Sequence, residues 1–334
     1  MVTTDAFVVV RDHAATLGAT LAGLAAQRAP IARVVVIDNA SSDGSAAIAA
    51  DWVGRLPLEL VRWRENRGFS AAANEALRRT ASPFVLALNP DCRLEPGYVA
   101  ELLTASDRHP RAGAATGLLL RGVGPGLVAS GTVDSAGMVV YPSLRHLDRD
   151  AGRRFAPRDR RPAWVFGASG AAALYRRAAL DDVAYPSGEV YDETFFAYRE
   201  DADLAWRLQR RRWGCLFWPS ARAYHARGLK PEARRRETPA INRHSVRNRF
   251  LLRWGNADPT WLALCFPWWL LRDLTVVLAC LTVERASLAG LTEAFALRRQ
   301  HLGRGKANRS RATASAWTVA RWFVPGGRVI RVAS

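Results

Sequence analysis

The stretch ARVVVIDNASSDGSAAIAADWV, Ala32 to Val53, joins two periodicities. Val34 to Ile37 run without a polar break, as a strand buried on both faces requires. Asp38 and Asn39 end the run, Ser41, Ser42 and Asp43 follow, and the alanine-rich continuation from Asp43 reads as a helix. The same handover occurs on either side: AFVVV (6–10) before AATLGATLAGLAAQ (14–27), LELVRW (58–63) before SAAANEALRRT (70–80), then the strand PFVLALN (83–89). Strands alternating with helices of this length predict right-handed βαβ units in a mainly parallel sheet covered on both faces. Such sheets bind ligands beyond the carboxyl ends of their strands, which selects Asp38, Asn39 and Asp91. Plain alternatives stand beside that reading, because Asn-Pro-Asp is also turn chemistry and Asp43 also suits a helix cap.

A chain of 334 residues, 49% of them hydrophobic, can bury a large α/β core with an appended piece, which excludes a disordered tail. Its 48 Lys+Arg against 30 Asp+Glu give a net charge of +18, and lysine occurs only at Lys230 and Lys306. This arginine excess calls for an anionic partner: a phosphate-bearing small molecule, nucleic acid or lipid headgroups. No nucleic-acid partner is expected, since the aromatic residues are not interleaved with the basic ones as a stacking platform. Cys92, Cys215, Cys265 and Cys280 show neither metal spacing nor a disulfide framework, so reduced thiols and a cytoplasmic location are expected. The N-terminal MVTTDAFVVVRDH has no basic segment leading a long apolar run, and no signal peptide is expected.

Residues 121 to 162 are rich in Gly, Pro and charge and read as an irregular excursion bordering a site. In AWVFGASGAAALYRR (163–177), the small residues Gly167, Ala168, Ser169 and Gly170 permit close approach of a ligand or of another backbone. In YDETFFAYREDADLAWRLQRRRWG (191–214), a helix is predicted from Glu200, with Leu204 and Leu208 buried, Arg207 on its polar face and Gly214 as the stop. Glu200, Asp201 and Asp203 therefore crowd its first turn. Capping and the helix dipole explain one acid there; three beside Phe195, Phe196 and Tyr198 repel one another, which points to chemistry for at least one. CLFWPSARAYHARG (215–228) then reads as a strand delivering His225 just past its end, either as a structural histidine or as a metal ligand.

Taken together, VVVIDNASSDGS, ENRGFSAAANEAL, LALNPDC, FGASGAAALYRR, DETFFAYREDADLAWRLQRRRWG and AYHARG resemble, in order and spacing, inverting family-two glycosyltransferases of the GT-A fold. The likeness points toward the rhamnosyltransferase-like branch that builds bacterial cell-surface polysaccharides and covers roughly the first two thirds of the chain. The resemblance implies a sugar-nucleotide donor held by Asp38, Asn39, Asn66, Asn89 and Asp91, with Asp38 on the nucleoside. Asp91 matches the last acid of the family's Asp-X-Asp element, which holds a divalent metal, Mg²⁺ or Mn²⁺, on the donor diphosphate, and His225 matches a histidine that completes the metal or diphosphate site. Asp201 matches the catalytic base, with Glu200 beside it orienting or binding the acceptor. The chemistry is coherent: a departing diphosphate needs positive charge, a hard cation prefers oxygen ligands, and the attacking hydroxyl needs one poised carboxylate.

Three departures shape the expectation. Arg11-Asp12 stands where the family usually has a Tyr-Asn pair, the acidic element is reduced to Asn89-Pro90-Asp91, and RFLLRW (249–254) carries Phe250 where processive synthases have glutamine. Transfer of one sugar per encounter follows, rhamnose favoured. Galactofuranose, N-acetylglucosamine or glucose, and a non-catalytic donor-binding relative, are the alternatives. The expected acceptor is a saccharide or a polyprenyl-diphosphate-linked sugar.

A GT-A domain over residues 1–230 and a helical, basic, membrane-associating region over 231–334 are expected. Arg243, Arg247, Asn248, Arg249 and Arg253 recur near helical spacing, either as a solvated face or as contacts to acidic headgroups or an acceptor diphosphate. Trp261 to Leu281 is long enough to test as a membrane span, but Arg272 and Asp273 at its centre predict helices lying on a surface, with Trp261 to Leu270 at the interface. With the basic tail from Arg298 to Arg321, this places the protein at the inner face of the plasma membrane, on an anionic surface.

Overall fold

The computed structural model describes residues 2–156, 161–227 and 239–332. The alternation in the sequence appears as β1 (Thr4–Val10), α1 (Ala14–Ala25), β2 (Ile31–Asn39), α2 (Ser45–Ala50), β3 (Leu58–Trp63), α3 (Phe69–Arg78) and β4 (Phe84–Leu88). These strands pair in parallel in the order β4-β1-β2-β3. Residues alternate cleanly between the faces: Ala6, Val8 and Val10 of β1 meet α1, while Phe7 and Val9 face α3.

The chain continues through β5 (Cys92–Leu94), α4 (Tyr98–Arg108), β6 (Ala112–Val123), β7 (Val128–Ser135), the hairpin β8 (Met138–Val140) and β9 (His146–Asp148), β10 (Ala163–Val165), β11 (Ala172–Arg176), α5 (Arg177–Val183), α6 (Glu200–Arg210) and β12 (Gly214–His225). β11 enters antiparallel between β4 and β6, and β12 runs parallel to β6. The region expected to be irregular, 121–162, thus carries β7, β8 and β9, because its apolar residues Val133, Met138, Val139 and Val140 are buried despite the surrounding Gly and charge.

The C-terminal helices are α7 (Pro239–Asn256), α8 (Pro259–Leu264), α9 (Phe266–Thr282), α10 (Leu288–Ser310) and α11 (Ala316–Ala320), before a short edge strand β13 (Ile330–Arg331) on β10. They form a third core with β8, Phe166 and α6. The boundary expected at 230/231 lies outside the described residues.

Two expectations for this region change. Trp261 is wholly buried, its ring 5.0 Å from Trp206 and 5.5 Å from Phe323 and its indole N–H donating to the Ala316 carbonyl at 2.7 Å, so it is a core anchor, not an interface residue. The basic face of α7 is largely spent within the chain: Arg243 pairs with Glu293, and Arg249 and Arg253 grip the buried Asp273 of α9. That grip explains an acid in the middle of an apolar run. On its other side α9 exposes Trp268, Leu271, Leu274, Leu278 and Leu281. Among the described residues no single helix is long and apolar enough to cross a membrane; only α9 with Arg285–Ser310 passes together, as a pair bent by 115°.

Candidate active site at the carboxyl edge of the sheet

β2 and β1 end side by side, and their following loops are stitched together. Asp12 accepts from the Ser42 N–H at 2.7 Å, and Asp43 accepts from the N–H groups of Ala14 and Ser45, both at 2.9 Å. Asp43 therefore clamps two loops besides serving the start of α2. Buried Asp38 accepts from the Ser41 N–H at 3.0 Å and lies 3.7 Å from the Arg62 guanidinium. Asn39 donates to Asn66 at 2.8 Å and accepts from the Arg67 N–H at 2.9 Å, so two of the predicted donor residues are in direct contact. The turn they fix contains Gly68 at φ +85°, where a Cβ would come within 2.6 Å of the Phe196 carbonyl oxygen. Only glycine allows that approach, and it brings the donor-side loop against the segment leading into α6.

β4 stops at Leu88, and the Asn89 N–H donates to the Ala171 carbonyl at 2.9 Å. The Pro90 carbonyl is held by the hydroxyls of Thr16 and Thr20 at 3.1 and 2.9 Å. Asp91 is thereby presented, almost buried, 3.2 Å from His225 Nε2. His225 is the last residue of β12 rather than one beyond it, and its Nδ1 lies 2.8 Å from Asp134 at the end of β7. Arg227 bridges Asp134, at 2.8 Å, to Asp148. Burial opposes charge on the His225 ring, but hydrogen bonds and charge from Asp134 and Asp91 outweigh it and push its pKa up to about 10. Burial likewise opposes ionisation of Asp91, and His225 overcomes it, holding Asp91 below the usual carboxylate range.

Asp91 Oδ1 and His225 Nε2 face one another at 3.2 Å, and a cation held by both would take the place of the ring's proton. Among the described residues no group of three or more His, Cys, Asp and Glu side chains converges as a complete metal cage. This two-ligand set fits a hard cation that takes its remaining ligands from phosphate oxygens and water.

The second acid cluster forms where the chain is turned by three non-glycine residues in the left-handed region, Phe196, Tyr198 and Arg199 at φ +63°, +71° and +73°. α6 then starts at Glu200. Asp201 accepts from the N–H groups of Gly170 at 3.2 Å and Ala202 at 2.7 Å. Burial, then the charge of Asp148, raises its pKa. Burial and the neighbouring Asp201 push Glu200 up to about 8, and Glu200 Oε2 is sealed from solvent with no hydrogen-bond partner among the described residues. The third acid has a different task. Asp203 is buried and salt-bridged at 2.8 Å to Arg207, itself buried rather than on a polar face, and accepts from Asn256 at 2.7 Å.

Gly170 and Ala171 join the two clusters: one residue's N–H holds Asp201, the next residue's carbonyl holds Asn89. A Cβ on Gly170 would meet Asp201 Oδ2 at 3.4 Å, so the small residues of 167–170 serve close approach as their composition predicts. Asp38 shares the edge but not contact with Asp91, since β1 separates their strands. Sequence reasoning missed Asp134. Its signal was there: Val133-Asp134-Ser135 repeats the strand-acid-turn pattern of Asp38, within a region read as irregular.

A family model for glycosyl transferase family 2 matches residues 5–184. The N-acetylglucosaminyl-diphospho-decaprenol L-rhamnosyltransferase of Mycobacterium tuberculosis is 30% identical over 213 residues, which span 58% of this chain and 66%, just under two thirds, of that protein. Among solved structures, the mannosyltransferase PcManGT from Pyrobaculum calidifontis in complex with GDP-Man and Mn²⁺ superposes with a TM-score of 0.52 at 16% identity, covering 96% of this chain and 86% of that one. S. aureus TarS 1–349 in complex with UDP-GlcNAc gives 0.53 at 16% identity, covering 92% and 89%. At these identities the likeness is one of fold, and the fold is of the GT-A kind.

Proposed function

The chain belongs to glycosyl transferase family 2, and from that membership we propose that it transfers a single sugar, with inversion, from a nucleotide-diphosphate donor to a lipid-linked saccharide in cell-surface polysaccharide synthesis. Rhamnose is the favoured sugar and a polyprenyl-diphosphate-linked acceptor the favoured partner, both on the strength of the mycobacterial relative's name. The observation that carries the reading is the junction at Gly170 and Ala171, which sets the half-buried pair Glu200 and Asp201 beside the strand end bearing Asp91.

In this reading Asp38, Asn39 and Asn66 seat the nucleoside end of the donor, and Asn89 and Asp91 face its diphosphate. A divalent cation held by Asp91 and His225 would neutralise charge on the departing diphosphate. Asp201, its Oδ2 steadied by the Gly170 N–H, takes the proton of the attacking acceptor hydroxyl. Glu200, protonated near neutral pH, offers a hydrogen bond through Oε2, which has no partner among the described residues, and orients that hydroxyl. Direct attack needs no covalent enzyme intermediate, so the anomeric centre inverts. Residues 1–230 carry the chemistry, and the exposed apolar stripe of α9 with the net positive charge rests the protein on an anionic bilayer at the inner face of the plasma membrane.

The test is nucleotide release by purified protein against a panel of sugar nucleotides, with Mg²⁺, Mn²⁺ or chelator, and a detergent-solubilised polyprenyl-diphosphate-linked acceptor. Metal-dependent release with one donor, abolished in Asp201→Asn while donor binding persists, is expected. No release with any donor from a folded protein would sink the enzymatic reading.

A further inference from the structure

We propose that Asn248, locked by Arg247, is the positioning residue of the acid pair: it fixes the strained loop from Phe195 to Arg199 and so sets where Glu200 and Asp201 point. The inference rests on the reading of that pair as the transfer site.

The loop is costly to hold. Phe196 at φ +63°, ψ −64° has the rare γ-turn geometry, with the Ala197 N–H donating to the Phe195 carbonyl at 2.7 Å. Tyr198 and Arg199 follow in the left-handed region. Bulky residues take such backbone angles only where the surroundings over-determine them. A loop free to relax would swing the first turn of α6, because Arg199 is the residue on which that helix begins.

The over-determination comes from α7. Asn248 is completely buried, and its amide reaches the carbonyls of Phe195, Ala197 and Tyr198 at 2.9, 2.8 and 2.8 Å. An amide has two N–H donors, so three carbonyls share them and none is left over. The Asn248 side-chain oxygen accepts from Arg247 Nε at 3.0 Å, which fixes the amide's orientation. Arg247 also donates to the carbonyls of Thr194 and Phe195 at 3.0 and 2.7 Å. From the opposite side the Phe196 carbonyl accepts from the Ser70 N–H at 3.1 Å. His244, one turn before Asn248, stacks on the Phe196 ring at 5.0 Å. One face of α7 thus reads the loop's carbonyls in sequence, while Arg249 and Arg253 tie the same helix to α9.

Hydrogen exchange and kinetics on the full chain decide it. Asn248→Asp keeps shape but sets a carboxylate against three carbonyls; Asn248→Ala removes the amide. Both are expected to speed exchange of the 193–199 amides while β1, β2 and β4 stay protected. The affinity, with Mn²⁺, for the nucleoside diphosphate of whichever donor wild type turns over is expected to stay within about twofold of wild type, and kcat to fall about 10²-fold, as for a misplaced catalytic group. Wild-type exchange in the loop of Asn248→Asp would overturn the proposal, and so would an unaltered kcat. Loss of protection in the sheet along with the loop would also overturn it, making Asn248 a general core residue. A wild-type protein inactive with every donor would instead sink the transfer reading, since the exchange arm needs no substrate.

Discussion

Glu200→Gln separates the stability and the chemistry of the acid pair through pH. In the folded protein the Glu200 carboxyl is pushed up to about 8, from an ordinary 4.5, by burial and by Asp201. A carboxyl whose folded pKa lies above its unfolded one favours the fold when protonated. That stabilisation is complete below pH 4.5 and is lost as pH rises through 8. At pH 6 the folded pKa lies about two units above the solution, and at about 1.4 kcal/mol per unit the contribution is about 2 to 3 kcal/mol. At pH 9 it has vanished. Glutamine occupies the same space and does not titrate, so the pH dependence of groups that do not interact with residue 200 cancels in the comparison. Urea unfolding of the two proteins at pH 6 and pH 9 is expected to show wild type losing about 2 to 3 kcal/mol more than Glu200→Gln across that interval. Equal losses would refute the placement of Glu200 in a sealed, like-charged environment.

Asp134→Asn is expected to weaken Mn²⁺ binding in the presence of a nucleoside diphosphate by about 10- to 100-fold, read by titration calorimetry, because Asp134 fixes the His225 ring that faces Asp91. Unchanged affinity would place the metal elsewhere. Arg207→Met strands the buried Asp203 carboxylate and should cost about 3 to 5 kcal/mol of stability in denaturant unfolding. A cost under about 1 kcal/mol would be that of an exposed pair. For the bilayer contact, Leu271→Glu with Leu278→Glu is expected to abolish co-sedimentation with phosphatidylglycerol vesicles while nucleotide release in detergent persists. Vesicle binding that survives both changes would leave the basic surface, not α9, as the membrane contact.

The strands and helices around β1, β2 and β4 were legible in the sequence because each strand is buried on both faces and leaves an unbroken apolar run. Asp38, Asp91, Glu200 and Asp201 were legible for a related reason: acids at element ends interrupt those runs. β7 to β9 were not, since β7 and β9 are half-exposed and the buried β8 is only three residues long, too short to carry a period. Asp134 stayed hidden with them. Trp261 was misplaced because an apolar helix facing a core and one facing lipid have the same composition, and only packing against Trp206 and Phe323 separates them.

Residue type alone does not assign the charged groups, and burial decides where composition cannot. Glu200, Asp201 and Asp203 stand within one helical turn and look equivalent in sequence, yet Asp203 has a buried guanidinium beside it while Glu200 has an unpartnered oxygen. The same sorting divides α7. Arg243 neutralises Glu293, Arg249 and Arg253 neutralise Asp273, and Arg247 and Asn248 spend their donors on the carbonyls of a strained loop. A helix that reads as one basic face is therefore three separate devices, and its charge is poorly placed to meet headgroups. Arg298 and Arg299 on α10 remain exposed, so in the membrane reading proposed above they, rather than α7, would meet the headgroups.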